Sequence, residues 1–255
     1  MPGQNPTQRP FGRGAARTAV VWDALQEVLA SVPSDTDTLA DTGVASVIDI
    51  GGGTGGFAVR VAELGHRVTV IDPNPDALAI LARRAEESGV ADLVTARQGD
   101  VASLPSLVPA GGADVVLCHG VLEIVDDPAE ALAVLAGVLR QGGVLSLLVG
   151  QRHAAVVARA MAGHFHQARA MLDDPAAAGP TRRFTPDEVA QILAETGFET
   201  TAMHAVRVFV DLVPSSLVEL EPGAAAALVE LEKAVADRPE YLPLGTQLHI
   251  LATRR

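Results

Sequence analysis

Gly51-Gly-Gly-Thr-Gly-Gly56 follows the β-branched segment Ser46–Ile50 without a break, and the run satisfies two spacings at once. Gly51, Gly53 and Gly56 read G-x-G-x-x-G, with Asp72 about 20 residues on, where an acid can accept hydrogen bonds from ribose hydroxyls. Asp49-x-Gly51-x-Gly53-x-Gly55 adds an acid inside the segment ahead of the turn. Glycines in such a turn let backbone N–H groups reach a ligand with no side chain between. The first spacing permits a nicotinamide dinucleotide and hydride transfer. That chemistry needs a proton-relay residue, yet the single Tyr241 and single Lys233 do not form a Tyr-x-x-x-Lys pair. Cys118 is the one cysteine, which excludes an intrachain disulfide and leaves no clustered Cys/His set for a metal. Both acids also have plain structural uses: Asp49 in satisfying backbone donors, Asp72 in capping the helix that follows.

A turn of this kind is held by parallel βαβ units, and the chain alternates accordingly. A helix over Ala15–Val32 comes first, then the polar loop Pro33–Gly43 and the strand Ser46–Ile50. After the turn, Phe57, Val61 and Leu64 have helical spacing. Strands are expected at Arg67–Ile71, Asp92–Arg97, Ala113–Cys118 and Gly143–Val149, and helices at Asn74–Ser88 and Pro128–Arg140. Right-handed crossovers then set helices on both faces of one sheet. Residues 151–185 read as helical, followed by a helix over Pro186–Thr196 that ends at Gly197. A strand Thr201–Val210, a helical stretch Ala224–Ala236 and a last strand Gln247–Thr253 complete the pattern.

The 255 residues carry 19 Lys+Arg against 31 Asp+Glu, a net charge of −12, and suffice for one large domain whose core needs no staples. That balance argues against a protein whose whole surface docks on nucleic acid or anionic lipid. The charge is uneven, however. Residues 151–185 hold Arg152, Arg159, Arg169, Arg182 and Arg183 against Asp173 and Asp174, a local +3, together with His153, His164 and His166. The longest apolar runs are too short or too interrupted to span a bilayer, and the first ten residues lack the apolar stretch of a secretory signal. A cytoplasmic protein with no membrane partner is expected, with residues 1–14, rich in Pro, Gly and Arg, as a mobile arm.

The Asp49 spacing resembles motif I of the class I S-adenosylmethionine-dependent methyltransferases. Their donor has no pyrophosphate but does have an amino-acid end, whose ammonium an acid such as Asp49 can meet. Gln98-Gly99-Asp100 follows the third strand, where this superfamily places an acid or amide for the adenine. Cys118-His119-Gly120 ends the fourth, where it lines the methyl-transfer channel. Longer stretches resemble one family, the tRNA 5-carboxymethoxyuridine methyltransferases: Arg17-Thr-Ala-Val-Val-Trp22, Asp49-Ile-Gly-Gly-Gly53, Leu117-Cys-His-Gly-Val-Leu-Glu123 with Asp127-Pro128, Gly142-Gly-Val-Leu-Ser-Leu147, Val206-Arg-Val-Phe209 and Leu244-Gly-Thr-Gln-Leu-His249.

The resemblance implies a Rossmann-like α/β fold with a seven-stranded, mostly parallel sheet whose last strand is antiparallel. It divides the chain into an N-terminal cap helix (15–42), a cofactor-binding core (43–150), a basic helical acceptor lid (151–185) and the C-terminal part of the sheet (186–255). S-adenosylmethionine would be the donor and S-adenosylhomocysteine the product, with no metal. Arg17 would meet the donor's carboxylate, which a guanidinium fork suits. Gly51, Gly52 and Gly53 would form the turn, Asp72 would hold the ribose, Asp100 and Val101 the adenine, and His119 the channel. The implied reaction esterifies a carboxylate on the wobble uridine of tRNA. A carboxylate is already a nucleophile, so alignment and exclusion of water would supply most of the rate. A cation should orient it; Arg207 is the first candidate, with Arg152 and His153 next, although Arg207 could merely pair with Asp211 or Glu199. The family's insertion carries a dense lysine run, where this chain has Leu172-Asp-Asp-Pro-Ala-Ala-Ala-Gly-Pro180. A small-molecule acceptor is therefore the second reading, and an NAD(P)-dependent oxidoreductase the reading from another class.

Overall fold

Alternation of β-branched runs with amphipathic segments produces seven strands in the computed structural model, which describes residues 13–32, 43–173 and 181–255. The strands are β1 (Ser46–Ile50), β2 (Arg67–Asp72), β3 (Val94–Gln98), β4 (Ala113–His119), β5 (Leu139–Gly150), β6 (Phe198–Val206) and β7 (Gln247–Arg254). They form one sheet in the order β3-β2-β1-β4-β5-β7-β6. The first five run parallel, and β7 enters antiparallel between β5 and β6. The expected mobile arm, apart from Arg13 and Gly14, and the Pro33–Gly43 loop, apart from Gly43, lie outside the described residues.

Successive side chains on a strand point to opposite faces, and the central strands bury both. Ile48, Ile50, Val116 and Cys118 pack on one face against α5 (Pro128–Val138) and α8 (Pro186–Glu195) through Leu132, Leu135, Val189 and Leu193. Val47, Val115 and Leu117 pack on the other, against α1 (Arg13–Ser31), α2 (Ala58–Glu63) and α3 (Pro75–Glu87) through Leu25, Leu29, Val61 and Leu81. Asp49 lies two residues from Val47 and so points to the second face. Three helices start with proline at a position whose missing N–H costs nothing. Their N-caps accept from the exposed first-turn N–H groups: Asn74 for α3, Asp127 for α5, and Thr185 in a capping box with Glu188 for α8.

The insertion divides into α6 (Arg152–Met161) and α7 (Phe165–Asp173), beyond the short α4 (Leu104–Leu107). α9 (Ser215–Leu220) and α10 (Ala224–Ala236) lie between β6 and β7. α4 and α9 carry no periodic signal long enough to read. β6 spans 198–206 rather than the expected 201–210, because Arg207 adopts a φ of 61° and turns the chain out of the sheet. The N–H groups of Val208, Phe209 and Val210 go to the carboxylate of Glu232, 0% exposed on α10, at 2.9, 2.8 and 2.7 Å. No helix among the described residues is long and apolar enough to cross a membrane.

Candidate functional site

In an open parallel sheet the crevice lies at the carboxyl ends of the strands, where the chain leaves in opposite directions from neighbouring strands. Here β1 continues to β2 on one side while β4 lies on the other, and the glycine turn occupies that switch point. Two clefts open nearby. The first, about 510 Å³, includes Gly51, Asp72, Asp100, Val101 and His119 in its wall. The second, about 520 Å³, includes Arg159, His164, Arg183, Arg207, Asp211 and Glu123.

Close packing under the turn fixes its residue types. A Cβ on Gly52 would stand 2.5 Å from Asp49 Oδ2 and 2.9 Å from Val70 Cγ1, so only glycine lets the backbone lie down on the carboxylate. Gly51 needs a φ of +70° and would meet Val121. Asp49 is 4% exposed, and burial, with the Asp72 charge next, raises its pKa from 3.8 to about 7. Asp72 braces both sides of the crevice: Oδ2 accepts from the Gly53 N–H at 2.9 Å and Oδ1 from the Asn74 N–H at 2.8 Å. The expected capping role falls to Asn74 rather than Asp72, whose carboxylate holds the turn and the cap residue and still lines the cleft.

Asp100 Oδ1 accepts from both the N–H and the hydroxyl of Ser103, at 2.9 and 2.8 Å; the Ser103 bonds hold its carboxyl below the usual range. Val101 is buried at the cleft wall. His119 takes Phe57 edge-on at a ring separation of 4.9 Å, and its Nε2 shares a 2.9 Å hydrogen bond with Ser146 Oγ. Burial lowers its pKa to about 4, so the ring is neutral. Its Nδ1 is buried with no hydrogen-bond partner.

In the second cleft Arg207 donates from Nε to Asp211 Oδ2 at 2.7 Å, and its second nitrogen pairs with the same oxygen at 2.5 Å. Asp211 Oδ1 accepts from Arg17 at 3.0 Å. One carboxylate therefore joins two arginines that the sequence assigns to different substrates. Arg17 lies in neither cleft wall. Glu123 accepts from the Gly150 N–H at 2.8 Å; burial raises its pKa, and the Arg183 charge partly offsets this. Arg152 is elsewhere: it is 7% exposed and ion-paired with Glu188, tying the start of α6 to α8. His153 is exposed and lines neither cleft. Cys118 is buried in the core, where desolvation pushes its thiol up and away from reactivity.

Asp211, Glu123 and Glu232 were not legible as site residues. Glu232 did leave a signal, since it occupies the apolar stripe Leu228, Val229, Val235, Ala236 of α10, where an acid is out of place unless backbone donors await it.

Residues 48–147 match a methyltransferase-domain family. The S-adenosylmethionine-dependent methyltransferase of Mesorhizobium loti has the same fold, with a TM-score of 0.59 at 18% identity over 95% of this chain and 100% of that one. So does the magnesium protoporphyrin IX methyltransferase of Synechocystis, solved with S-adenosylhomocysteine bound, with a TM-score of 0.58 at 15% identity over 95% and 83% of the two chains. Domain match, fold and glycine turn together define a class I S-adenosylmethionine-dependent methyltransferase. Over 252 residues the chain is 32% identical to the tRNA 5-carboxymethoxyuridine methyltransferase of Escherichia coli K12, covering 95% of this chain and 89% of that protein. The chain belongs to this methyltransferase family, and the nicotinamide reading of the glycine spacing is set aside.

Gly51, Gly99 and Gly120 bring bare backbone into the wall of the first cleft, which Asp49, Gly52 and Gly53 do not line, and the acids Asp72, Asp100, Asp126, Asp127 and Glu130 make that wall negative. His119 also lines that wall, with its unpartnered Nδ1 buried behind the surface.

Proposed function

We propose that the protein methylates the carboxylate of a carboxymethoxyuridine at the wobble position of tRNA. The observation that carries this reading is the second cleft, where Arg207, Arg183, Arg159 and His164 gather in a protein of net charge −12. Asp211 fixes the plane of the Arg207 guanidinium, and Gln247 Oε1 lies 3.4 Å from its other nitrogen. A guanidinium so held can orient an acceptor carboxylate.

On this reading Asp49 takes the donor's ammonium, Arg17 its carboxylate and Asp72 the ribose hydroxyls. Asp100 and Val101 hold the adenine, the backbone of Gly51, Gly52 and Gly53 shapes the floor, and His119 stands at the transfer channel. Bound there, S-adenosylmethionine would supply a sulfonium methyl whose carbon the carboxylate oxygen bonds, while the bond to sulfur breaks and the neutral thioether of S-adenosylhomocysteine leaves. No residue of the chain need remove a proton. The work of the protein is to align the oxygen and keep water from its approach. Arg159, Arg169, Arg182 and Arg183 are the contacts for RNA phosphates, Arg152 being buried, and exposed Phe165 is the aromatic available to stack a base, since Phe184 is buried.

So few stacking groups favour a small-molecule acceptor as the second reading. Labelled S-adenosylmethionine is incubated with the protein and bulk tRNA, and in parallel with a small-metabolite extract. Label that enters tRNA and leaves on mild base treatment identifies a methyl ester; label in the extract alone refutes the tRNA acceptor.

A further inference from the structure

A line of polar side chains runs from the donor cleft through the sheet to the surface. Nε2 of His119 on β4 bonds Ser146 Oγ on β5 at 2.9 Å, and the same oxygen bonds Nε2 of His249 on β7 at 2.8 Å. Nδ1 of His249 lies 3.1 Å from Nδ1 of His204 on β6, their rings 19° from parallel. Nε2 of His204 lies 3.2 Å from Oδ1 of Asp237, which follows α10 and whose side chain is 80% exposed. Ser146 and His249 are 0% exposed. Burial of ionisable groups this deep is expensive, and the transfer chemistry described above uses only His119.

Hydrogen bookkeeping along the line has one solution for neutral rings. A carboxylate only accepts, so His204 carries its hydrogen on Nε2 and leaves Nδ1 bare. His249 must then donate from Nδ1, which leaves its Nε2 bare. The Ser146 hydroxyl donates to that nitrogen and accepts from His119 Nε2–H. His119 is left with a lone pair on Nδ1, the nitrogen that has no protein partner. An orphaned acceptor is also tolerated better in a protein interior than an orphaned N–H. Burial lowers the pKa of all three rings, which keeps them neutral; for His204 it outweighs the opposing charges of Asp237 and Glu27.

We infer that Ser146, His249, His204 and Asp237 are positioning residues that hold His119 in the Nε2–H tautomer, so that its buried Nδ1 carries a lone pair rather than an N–H dipole beside the cleft of the cationic donor. The other tautomer would turn an N–H dipole toward a sulfonium and its ammonium. The inference rests on the donor of the family and not on the acceptor proposed above, so failure of the tRNA assay leaves it intact.

Histidine 15N spectra of the donor-free protein test it, because bare and hydrogen-bearing imidazole nitrogens give separate signals; the His119 pair is assigned by its loss in His119→Asn. In the unmodified protein His119 Nδ1 should give the bare signal. Ser146→Ala should move both His119 signals toward the average of two tautomers. It should also weaken S-adenosylmethionine binding about tenfold while weakening the uncharged thioether of S-adenosylhomocysteine less than about threefold. Asp237→Ala, at an exposed position that leaves folding intact, should move the His119 signals in the same direction by a smaller amount, and decides the matter should Ser146→Ala not fold. A hydrogen-bearing Nδ1 in the unmodified protein, unmoved His119 signals in Asp237→Ala, or equal loss of both ligands in Ser146→Ala would each overturn the inference.

Discussion

The two clefts are nearly equal in volume, about 510 and 520 Å³, but they are built in different ways. The first is shaped by backbone: glycines that lie against Asp49 and Val70, and a carboxylate, Asp72, that accepts from two main-chain N–H groups. Its charged wall is acidic. The second is shaped by side chains, with the guanidinium of Arg207 set by Asp211 and Arg183 facing Glu123. Its cations outnumber its acids. A donor shared by a large class of enzymes can be met by main chain, which is insensitive to substitution except at glycine. An acceptor peculiar to one family must be met by side chains, which can be exchanged. The net charge of −12, summed over the whole chain, hides two clefts of opposite sign and predicts the ligand of neither.

If the division is sound, substitutions in one cleft should spare the other. Arg207→Met should lower kcat/KM for tRNA by about a thousandfold, the effect of leaving a desolvated carboxylate without its partner, while the Kd for S-adenosylhomocysteine measured by calorimetry stays within about threefold. Equal loss of both would merge the two sites. Gly52→Ala should act in reverse. Its Cβ would lie 2.5 Å from Asp49 Oδ2, so donor affinity should fall about a hundredfold and thermal unfolding should show a loss of about 2 kcal/mol. An intact donor affinity in that variant would show that the turn yields where the comparison says it cannot.

Acidity separates the clefts next. Asp49 has its pKa raised to about 7, so its neutral form persists in the folded protein where the unfolded chain has already ionised. Its contribution to stability is full below pH 3.8 and is lost as pH rises through about 7. A donor ammonium reverses the preference, so donor binding should release a proton and tighten with pH until about 7, then level off. Calorimetry in two buffers of different ionisation enthalpy reads the proton, and Asp49→Asn should abolish it. The smallest effect concerns salt. Affinity for tRNA should fall steeply with salt while donor affinity barely changes, and exposed Arg159→Gln should lower the tRNA salt slope by about 1. An unchanged slope would remove Arg159 from the phosphate contacts.

The donor side was legible because its information is local. The Gly51–Gly56 run, the acid inside β1 and the acid ending β2 are fixed by their distance along the chain from a strand end, and parallel βαβ order follows from hydrophobic period. The arginines outside the glycine turn depend on pairs distant in sequence. Arg17 and Asp211 are 194 residues apart, and Arg152 meets Glu188 across 36. Nothing in helical or strand period specifies such partners, which is why Arg152 could be read as a free cation and Asp211 only as the pair partner of Arg207, a pair the structure contains, and not as the link to Arg17. The end of β6 was missed for a related reason. Its ladder stops at Val206 because a buried carboxylate on another helix collects the next N–H groups, a competition that β-propensity in Val-Arg-Val-Phe does not reveal.

Arg207 is the one described residue other than glycine with a positive φ, 61°. Side chains in that region cost on the order of 1 kcal/mol or more, so the fold would be more stable with glycine at this position. With a bulky arginine there instead, the proposed acceptor role sets thermal stability and recognition against each other at a single backbone angle. Selection of this protein for heat resistance alone should therefore drift toward Arg207→Gly, giving a more durable protein that binds its donor and has lost its acceptor.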